Sequence, residues 1–285
     1  MVAALPLLAC PHCTLGLDWA VPGVVGCANG HRFDVARRGY LSLLGARSRT
    51  DTGDSAEMVA ARVAFLGARH YRPIADAVAA RVTAGPIVDI GAGTGYYLAE
   101  AVRRLIESEP DGSVQNASLP IGVALDASRY AAGRSAVAHP GIGAVLADAW
   151  SRLPVRSGVA ATVINIFAPR DPAEIARLLA PEGRLIVVTP EPDHLAEIRG
   201  VLGLLTVDPG KADRLVEAFA GLLRTVDRTS LRQEMVLTHL DVLALVRMGP
   251  SARHLGLEQL ERAVGELAAQ TTVKMSVTIS VLQRS

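Results

Sequence analysis

Residues 85–106 read GPIVDIGAGTGYYLAEAVRRLI, and no other stretch of this 285-residue chain limits its fold as strongly. Ile87–Ile90 has the short, apolar, β-branched character of a buried strand. Gly91, Gly93 and Gly95 punctuate a loop, and from Tyr96 the apolar residues recur at helical spacing. A strand, a glycine loop and a helix in that order belong to a parallel sheet flanked by helices. They aim backbone N–H groups and a helix N-terminus at whatever binds beyond the strand's carboxyl end. A dinucleotide-binding loop, G-x-G-x-x-G, needs its third glycine at position 96, which is Tyr. Here the loop is D-x-G-x-G-x-G, with Asp89 inside the strand, two residues before Gly91.

That form resembles motif I of class I S-adenosylmethionine-dependent methyltransferases. The resemblance implies an α/β fold, Rossmann-like, with a seven-stranded sheet, and makes Asp89, Gly91, Gly93 and Gly95 candidate cofactor-binding residues. Downstream segments agree. PIGVALDAS reads as a strand ending at Asp126, where a carboxylate accepts hydrogen bonds from both ribose hydroxyls. GAVLADAW reads as a third strand ending at Asp148, placed to accept the adenine exocyclic amine. An ordinary helix cap is the alternative for either Asp. VAATVINIFAPR reads as a fourth strand whose end carries Asn165, Phe167 and Pro169, the candidate acceptor-side residues. Phe167 can stack on a flat base and Asn165 can hydrogen-bond its edge; a plain core position is the alternative for Phe167. Gly183–Thr189 reads as a fifth strand, followed by PEPDHL with His194. A helical stretch over about 193–220, a β-rich segment, two more helices and the alternating TTVKMSVTISVLQ complete the seven-stranded pattern, with the last strand antiparallel.

The chain's three cysteines all lie in its first tenth, in the spacing C-x2-C-x13-C-x3-H over Cys10, Cys13, Cys27 and His31. Three thiols cannot all pair within one chain, and two close pairs on separate turns suit tetrahedral Zn²⁺. Pro11 and Gly16 suit one turn and Asn29-Gly30 the other, with a hairpin through Trp19–Val25 between them. Four good ligands leave no open position, so the metal is structural. His12 is expected to be exposed.

Half of the residues are hydrophobic, which supports a sizeable core, and the net charge of +1 supplies no global attraction for nucleic acid or membrane. A local patch must do that work. Residues 1–50 carry five Arg (Arg32, Arg37, Arg38, Arg47 and Arg49) against two Asp. No apolar run approaches the ~18–20 residues of a membrane span, and a cytoplasmic location is expected. Between the zinc segment and the glycine loop, residues 54–81 are helical, with Asp54 and Glu57 as a capping box and Pro73 opening a second helix. The polar stretch over 111–118 reads as a surface insertion.

Taken together, CPHC with CANGHRFDVARRGYLSLL, GDSAEMVAARVAFLGARHYRP, VDIGAGTGYY, and IFAP with TPEPDHL resemble the ribosomal large-subunit RNA guanine-N1 methyltransferases of the RlmA/TlrB type, over nearly the whole chain. The resemblance implies further cofactor contacts from Tyr71, Gly93, Thr94 and His194. It implies a dimer whose cleft holds a 23S ribosomal RNA hairpin near the peptide exit tunnel. In the actinobacterial, TlrB-like branch it also implies a contribution to tylosin resistance. The expected organisation is a zinc-binding RNA-recognition module over 1–45, a helical linker contributing to the cofactor site over 46–85, and the methyltransferase domain over 86–285. Two other readings stay open here, a small-molecule methyltransferase and a non-catalytic zinc-containing ribosome-binding protein. The intact Asp89, Gly91, Gly93, Gly95 and Asp126 argue against the latter.

Overall fold

The computed structural model describes residues 1–45, 48, 53–108, 122–208 and 210–284. The 111–118 stretch, Arg47 and Arg49 lie outside the described residues. A small antiparallel sheet comes first, built from β1 (Asp18–Val21), β2 (Val24–Gly26) and β3 (Arg32–Asp34) in that order. Gly23, at φ +81°, makes the turn between β1 and β2.

The main sheet holds β4 (Leu41–Ser42), β5 (Ile87–Ile90), β6 (Gly122–Asp126), β7 (Ile142–Leu146), β8 (Ala160–Ile166), β9 (Leu179–Pro190), β10 (Leu223–Thr238) and β11 (Gln270–Arg284). Their order is β10-β11-β9-β8-β5-β6-β7-β4. The run from β9 to β4 is parallel, and β11 is antiparallel to both its neighbours. The seven strands expected from the sequence are all present, and the last one is antiparallel. The two-residue β4 adds an eighth at the edge, too short to announce itself by periodicity.

Among the described residues the α-helices are α1 (Ala56–Gly67), α2 (Arg72–Ala79), α3 (Tyr96–Glu107), α4 (Arg129–Ser135), α5 (Pro172–Leu178), α6 (Ala196–Arg199), α7 (Lys211–Ala218), α8 (His239–Arg247) and α9 (Leu257–Gly265). Three local expectations are corrected. The N-cap of α1 is Ser55, whose Oγ accepts the Met58 N–H, while Asp54 pairs with Arg62 instead. The helical stretch over 193–220 is two short helices, because the glycines at 200 and 203, the latter at φ +62°, interrupt it. The third strand stops at Leu146, so Asp148 sits in the loop beyond it.

The central parallel strands β5, β6, β7 and β8 bury both faces, as a parallel sheet covered by helices requires. Ile87 packs on one side with Phe65, Ile74, Leu98 and Val102. Its neighbours Val88 and Ile90 pack on the other with Leu8, Leu41, Leu43, Cys10 and Cys27. The zinc segment therefore shares a hydrophobic core with the main sheet. It is also stitched there by backbone, the Ala9 N–H donating to Pro154 O at 3.0 Å and the Arg156 N–H to Leu7 O at 2.8 Å. Among the described residues no helix is long and apolar enough to cross a membrane.

Candidate active site and zinc centre

Two turns bring the N-terminal ligands together. The Thr14 N–H returns to Cys10 O at 2.9 Å, and the Gly30 N–H to Cys27 O at 3.0 Å, with Gly30 at φ +84°. The three Sγ atoms and one His31 ring nitrogen all lie within 4.8 Å of one another. Cys13 Sγ to Cys27 Sγ is 3.6 Å, Cys27 Sγ to His31 Nδ1 is 3.3 Å, and Cys10 Sγ to His31 Nδ1 is 3.5 Å. Tetrahedral bonds of ~2.3 Å to sulfur and ~2.0 Å to nitrogen set ligand–ligand edges of about 3.5–3.8 Å. The four donors fit Zn²⁺ and close its shell. His12 is exposed and stacks on Phe33, as a residue outside the ligand set should. Arg32 donates to Cys27 O and His31 O, bracing the second turn. Arg37 and Arg38 are exposed on the same segment.

At the carboxyl ends of β5, β6 and β8 lie two adjoining cavities. The smaller, ≈170 Å³, is lined by Gly91, Asp126, Asp148, Trp150, Phe167 and Pro169 among others. The larger, ≈600 Å³, is lined by Tyr71, Asp89, Thr94, Tyr97, Phe167 and His194 among others. Arg62, Gly91, Ile166 and Phe167 line both. Gly91 is at φ +75°, and a Cβ there would stand 2.5 Å from the Ala168 Cβ, so only glycine lets the β8 loop close over the β5 loop.

The acids are arranged by burial. Asp126 accepts the Gly93 N–H at Oδ2 and the Ser128 N–H at Oδ1, both at 2.8 Å. Burial pushes its carboxyl up to about 6, with those two N–H groups pulling the other way. Asp89 is 2% exposed, and its Oδ2 has no hydrogen-bond partner among the described residues. Burial, then the charge of Asp126, push it up to about 8. A buried, unpaired carboxyl beside a cavity is suited to an ammonium group. Asp148 accepts the Trp150 N–H at 2.9 Å and the Ser151 hydroxyl at 3.1 Å.

On the acceptor side, Phe167 adopts φ +52°, a strained conformation for an aromatic residue, and is 41% exposed. Its ring stands 6.1 Å from Tyr71 and 6.0 Å from His194. Pro169 lines the smaller cavity. Asn165 lines neither: fully buried, it donates Nδ2 to Ile90 O at 3.3 Å and to Pro169 O at 3.0 Å, and its Oδ1 is unpartnered among the described residues. The structure thus brings Phe167 and Pro169 to the cavities and makes Asn165 the staple of their loop. The Ser276 N–H donates to Nδ1 of His194 at 3.1 Å, so the neutral ring carries its proton on Nε2, facing the Tyr71 hydroxyl.

The zinc-ribbon family described as RlmA, N-terminal, matches residues 8–50. The chain is 42% identical over 281 residues to the 23S rRNA (guanine(748)-N(1))-methyltransferase of Streptomyces fradiae, covering 96% of this chain and 95% of that one. The chain belongs to the 23S ribosomal RNA (guanine-N1)-methyltransferases. A Micromonospora griseorubida relative, provisionally named a 23S rRNA (guanine-N(1)-)-methyltransferase, is 39% identical over 298 residues, covering 97% of each chain. Bacillus subtilis YxjB, also so named provisionally, is 30% identical over 205 residues, covering 69% of this chain and 68% of its own.

As a member of this methyltransferase family, the chain takes S-adenosylmethionine as cofactor and Zn²⁺ as a structural ion, and its cavities and Cys3His cluster suit both. Arg62 and Trp150 are cavity residues of the methyltransferase that no sequence motif singled out. Arg62 stands eight residues after Asp54 inside the GDSAEMVAARV stretch, and Trp150, 61% exposed, follows Asp148-Ala149. A charged residue within a largely apolar helix and a tryptophan two residues after Asp148 were the available signals.

Proposed function

We propose that this chain transfers a methyl group from S-adenosylmethionine to N1 of a guanine in a hairpin of 23S ribosomal RNA near the peptide exit tunnel. The observation that carries the reading is the wall shared by the two cavities, where Gly91 of the cofactor loop and the strained Phe167 stand together. When bound, the cofactor supplies a methyl already activated on a sulfonium. The protein's task is therefore to position the acceptor and exclude water. Asp126 and Asp148 receive the ribose and adenine in the smaller cavity, and Asp89, Gly93, Thr94, Tyr71 and His194 receive the amino-acid tail. Gly95 turns the loop at φ +75°, a Cβ there standing 3.1 Å from the Ser135 Cα. Phe167 stacks on the target guanine, Pro169 limits its edge, and Asn165 holds both through their loop.

The zinc module grips the RNA. Arg37 and Arg38, on the turn closed by Ala36 and Tyr40, meet phosphates, and Arg32 braces the zinc-ligand turn. The enzyme acts in the cytoplasm as a homodimer whose paired modules enclose the hairpin, and the methylation contributes to tylosin resistance. The domain division at residues 45 and 85 stands as part of this proposal, with β4 tying the first unit to the third.

Primer extension on ribosomal RNA, with and without the protein and cofactor, tests the reaction. The expected result is one new stop at a guanine, from N1-methylation. Methyl transfer to a small molecule with none to ribosomal RNA would overturn it. Light scattering is expected to give twice the chain mass, and deletion in the host to lower the tolerated tylosin concentration.

A further inference from the structure

The GDSAEMVAARV stretch is one of the segments that carry the family resemblance, yet neither the zinc centre nor the glycine loop accounts for it. In the structure it forms a strap over the smaller cavity. A Cβ at Gly53 would lie 2.8 Å from Ala127 O, so the strap rests directly on the turn that follows Asp126. The Ser128 hydroxyl donates to Asp54 O at 2.6 Å and fastens it there. From this anchor α1 carries Arg62 to the junction of the two cavities.

The guanidinium of Arg62 is held but not used up. Its Nη2 donates to the Asp54 carboxylate at 2.6 Å and to Met248 O at 2.7 Å. Its Nε is buried with no acceptor among the described residues. Nη1 lies over Gly93, 3.2 Å from where a Cβ on that residue would stand. A longer residue at 93 would push it away.

The methionine tail of the cofactor carries one ammonium and one carboxylate. Several donors of the glycine loop and its surroundings are already spent. The Gly93 N–H already serves Asp126 at 2.8 Å, and the Gly95 N–H serves Ala92 O at 2.9 Å. The Nε2 proton of His194 faces Tyr71. Both of those glycine N–H groups are thus spent within the protein, and a cation fixed over Gly93 is a complementary group for the carboxylate.

We propose that Arg62 binds the α-carboxylate of the cofactor's methionine tail, through the part of its guanidinium that Asp54 and Met248 leave open. The inference rests on the cofactor assignment and extends it to a residue outside the glycine loop. Asp54 is a positioning residue that keeps the guanidinium over Gly93. The strap then couples the two ends of the ligand, since the segment resting on the ribose turn also carries the cation for the tail.

Calorimetric titration of the zinc-loaded full chain, without RNA, separates this role from a structural one. The two probes are S-adenosylmethionine and decarboxylated S-adenosylmethionine, which keeps the sulfonium and the ammonium and lacks only the carboxylate. Arg62→Ala is expected to weaken S-adenosylmethionine by about ten- to hundredfold, the range of one charge-assisted contact. The same variant is expected to leave the decarboxylated ligand within about twofold, as no contact is lost. Arg62→Lys is expected to recover part of the loss. Equal weakening of both ligands, or unchanged affinity for S-adenosylmethionine, overturns the proposal. Failure of the unaltered protein to bind either ligand would instead overturn the cofactor assignment beneath it.

Discussion

The Tyr71 hydroxyl oxygen lies 3.2 Å from Nε2 of His194, and both side chains are buried in the wall of the larger cavity. Because Nδ1 of His194 accepts the Ser276 N–H, Nε2 is the protonated nitrogen and the Tyr71 oxygen accepts from it. The Tyr71 hydrogen is then available to a ligand in the cavity. Tyr71→Phe is expected to weaken S-adenosylmethionine by about fivefold or more, the value of one hydrogen bond. Calorimetry checks it, and unchanged affinity would remove Tyr71 from the cofactor site.

Burial, reinforced by Arg199, holds His194 down at about 4. In the unfolded chain the ring titrates near ~6.5. Between these values the unfolded state binds a proton that the folded state refuses, so stability rises with pH across that window and is flat for this group above it. The slope is at most about 1.4 kcal/mol per pH unit. Denaturant unfolding at pH 5 and pH 7 measures it, and His194→Gln is expected to flatten the difference.

Asp89, pushed up to about 8, holds its proton in the free protein at neutral pH. Meeting the cofactor's ammonium requires the carboxylate, so binding releases a proton below pH 8. Affinity is expected to rise with pH toward that point, and the apparent enthalpy at pH 7 to depend on the buffer's ionisation heat. Identical enthalpies in phosphate and Tris would contradict this. Asp89→Asn is expected to flatten the pH dependence between pH 7 and 8.

Phe167 pays backbone strain to stand between the cavities, which makes sense for a residue that stacks on the acceptor. Phe167→Ala is expected to lower turnover on ribosomal RNA by roughly five- to hundredfold, the range for loss of one base–aromatic stack. Its effect on cofactor affinity should be smaller. Asn165→Ala is expected to show the same pattern, because releasing Pro169 O and Ile90 O frees the loop without touching the ligand. Steady-state kinetics beside calorimetry checks both, and a turnover equal to the wild type removes the residue from the mechanism.

Zinc removal is expected to abolish RNA binding and lower the unfolding midpoint, while S-adenosylmethionine still binds. The cofactor residues all come from outside the ribbon, but Leu8, Cys10 and Cys27 pack in the core of the main sheet. Chelation followed by thermal unfolding and filter binding tests this. Arg37→Ala and Arg38→Ala are each expected to reduce the slope of log affinity against log salt by about one. An unchanged slope would take those side chains off the phosphates.

The chain's local chemistry was legible where spacing carries it. Three cysteines and a histidine at ligand separation announce a metal, because Zn²⁺ accepts few donor sets. A strand acid before three glycines announces a ligand loop, because positive φ and close approach favour glycine, and its resemblance to motif I names the ligand. Strand ends were legible only approximately: Asp148 lies beyond its strand, since an apolar run does not mark where ladder bonds stop. What the sequence leaves undetermined is long-range. Asn165 looks like an acceptor contact in one dimension and proves to be a buried staple, because only packing decides which face of a loop turns inward. The same holds for Arg62, 31 residues from Gly93 along the chain yet resting on it. The zinc ribbon, too, reads as self-contained, but its apolar residues complete the core of the large sheet. Motifs determine which ligands this protein takes, whereas the crossing of elements remote in sequence decides which side chains meet them, because packing free energy is set by neighbours that no local pattern encodes.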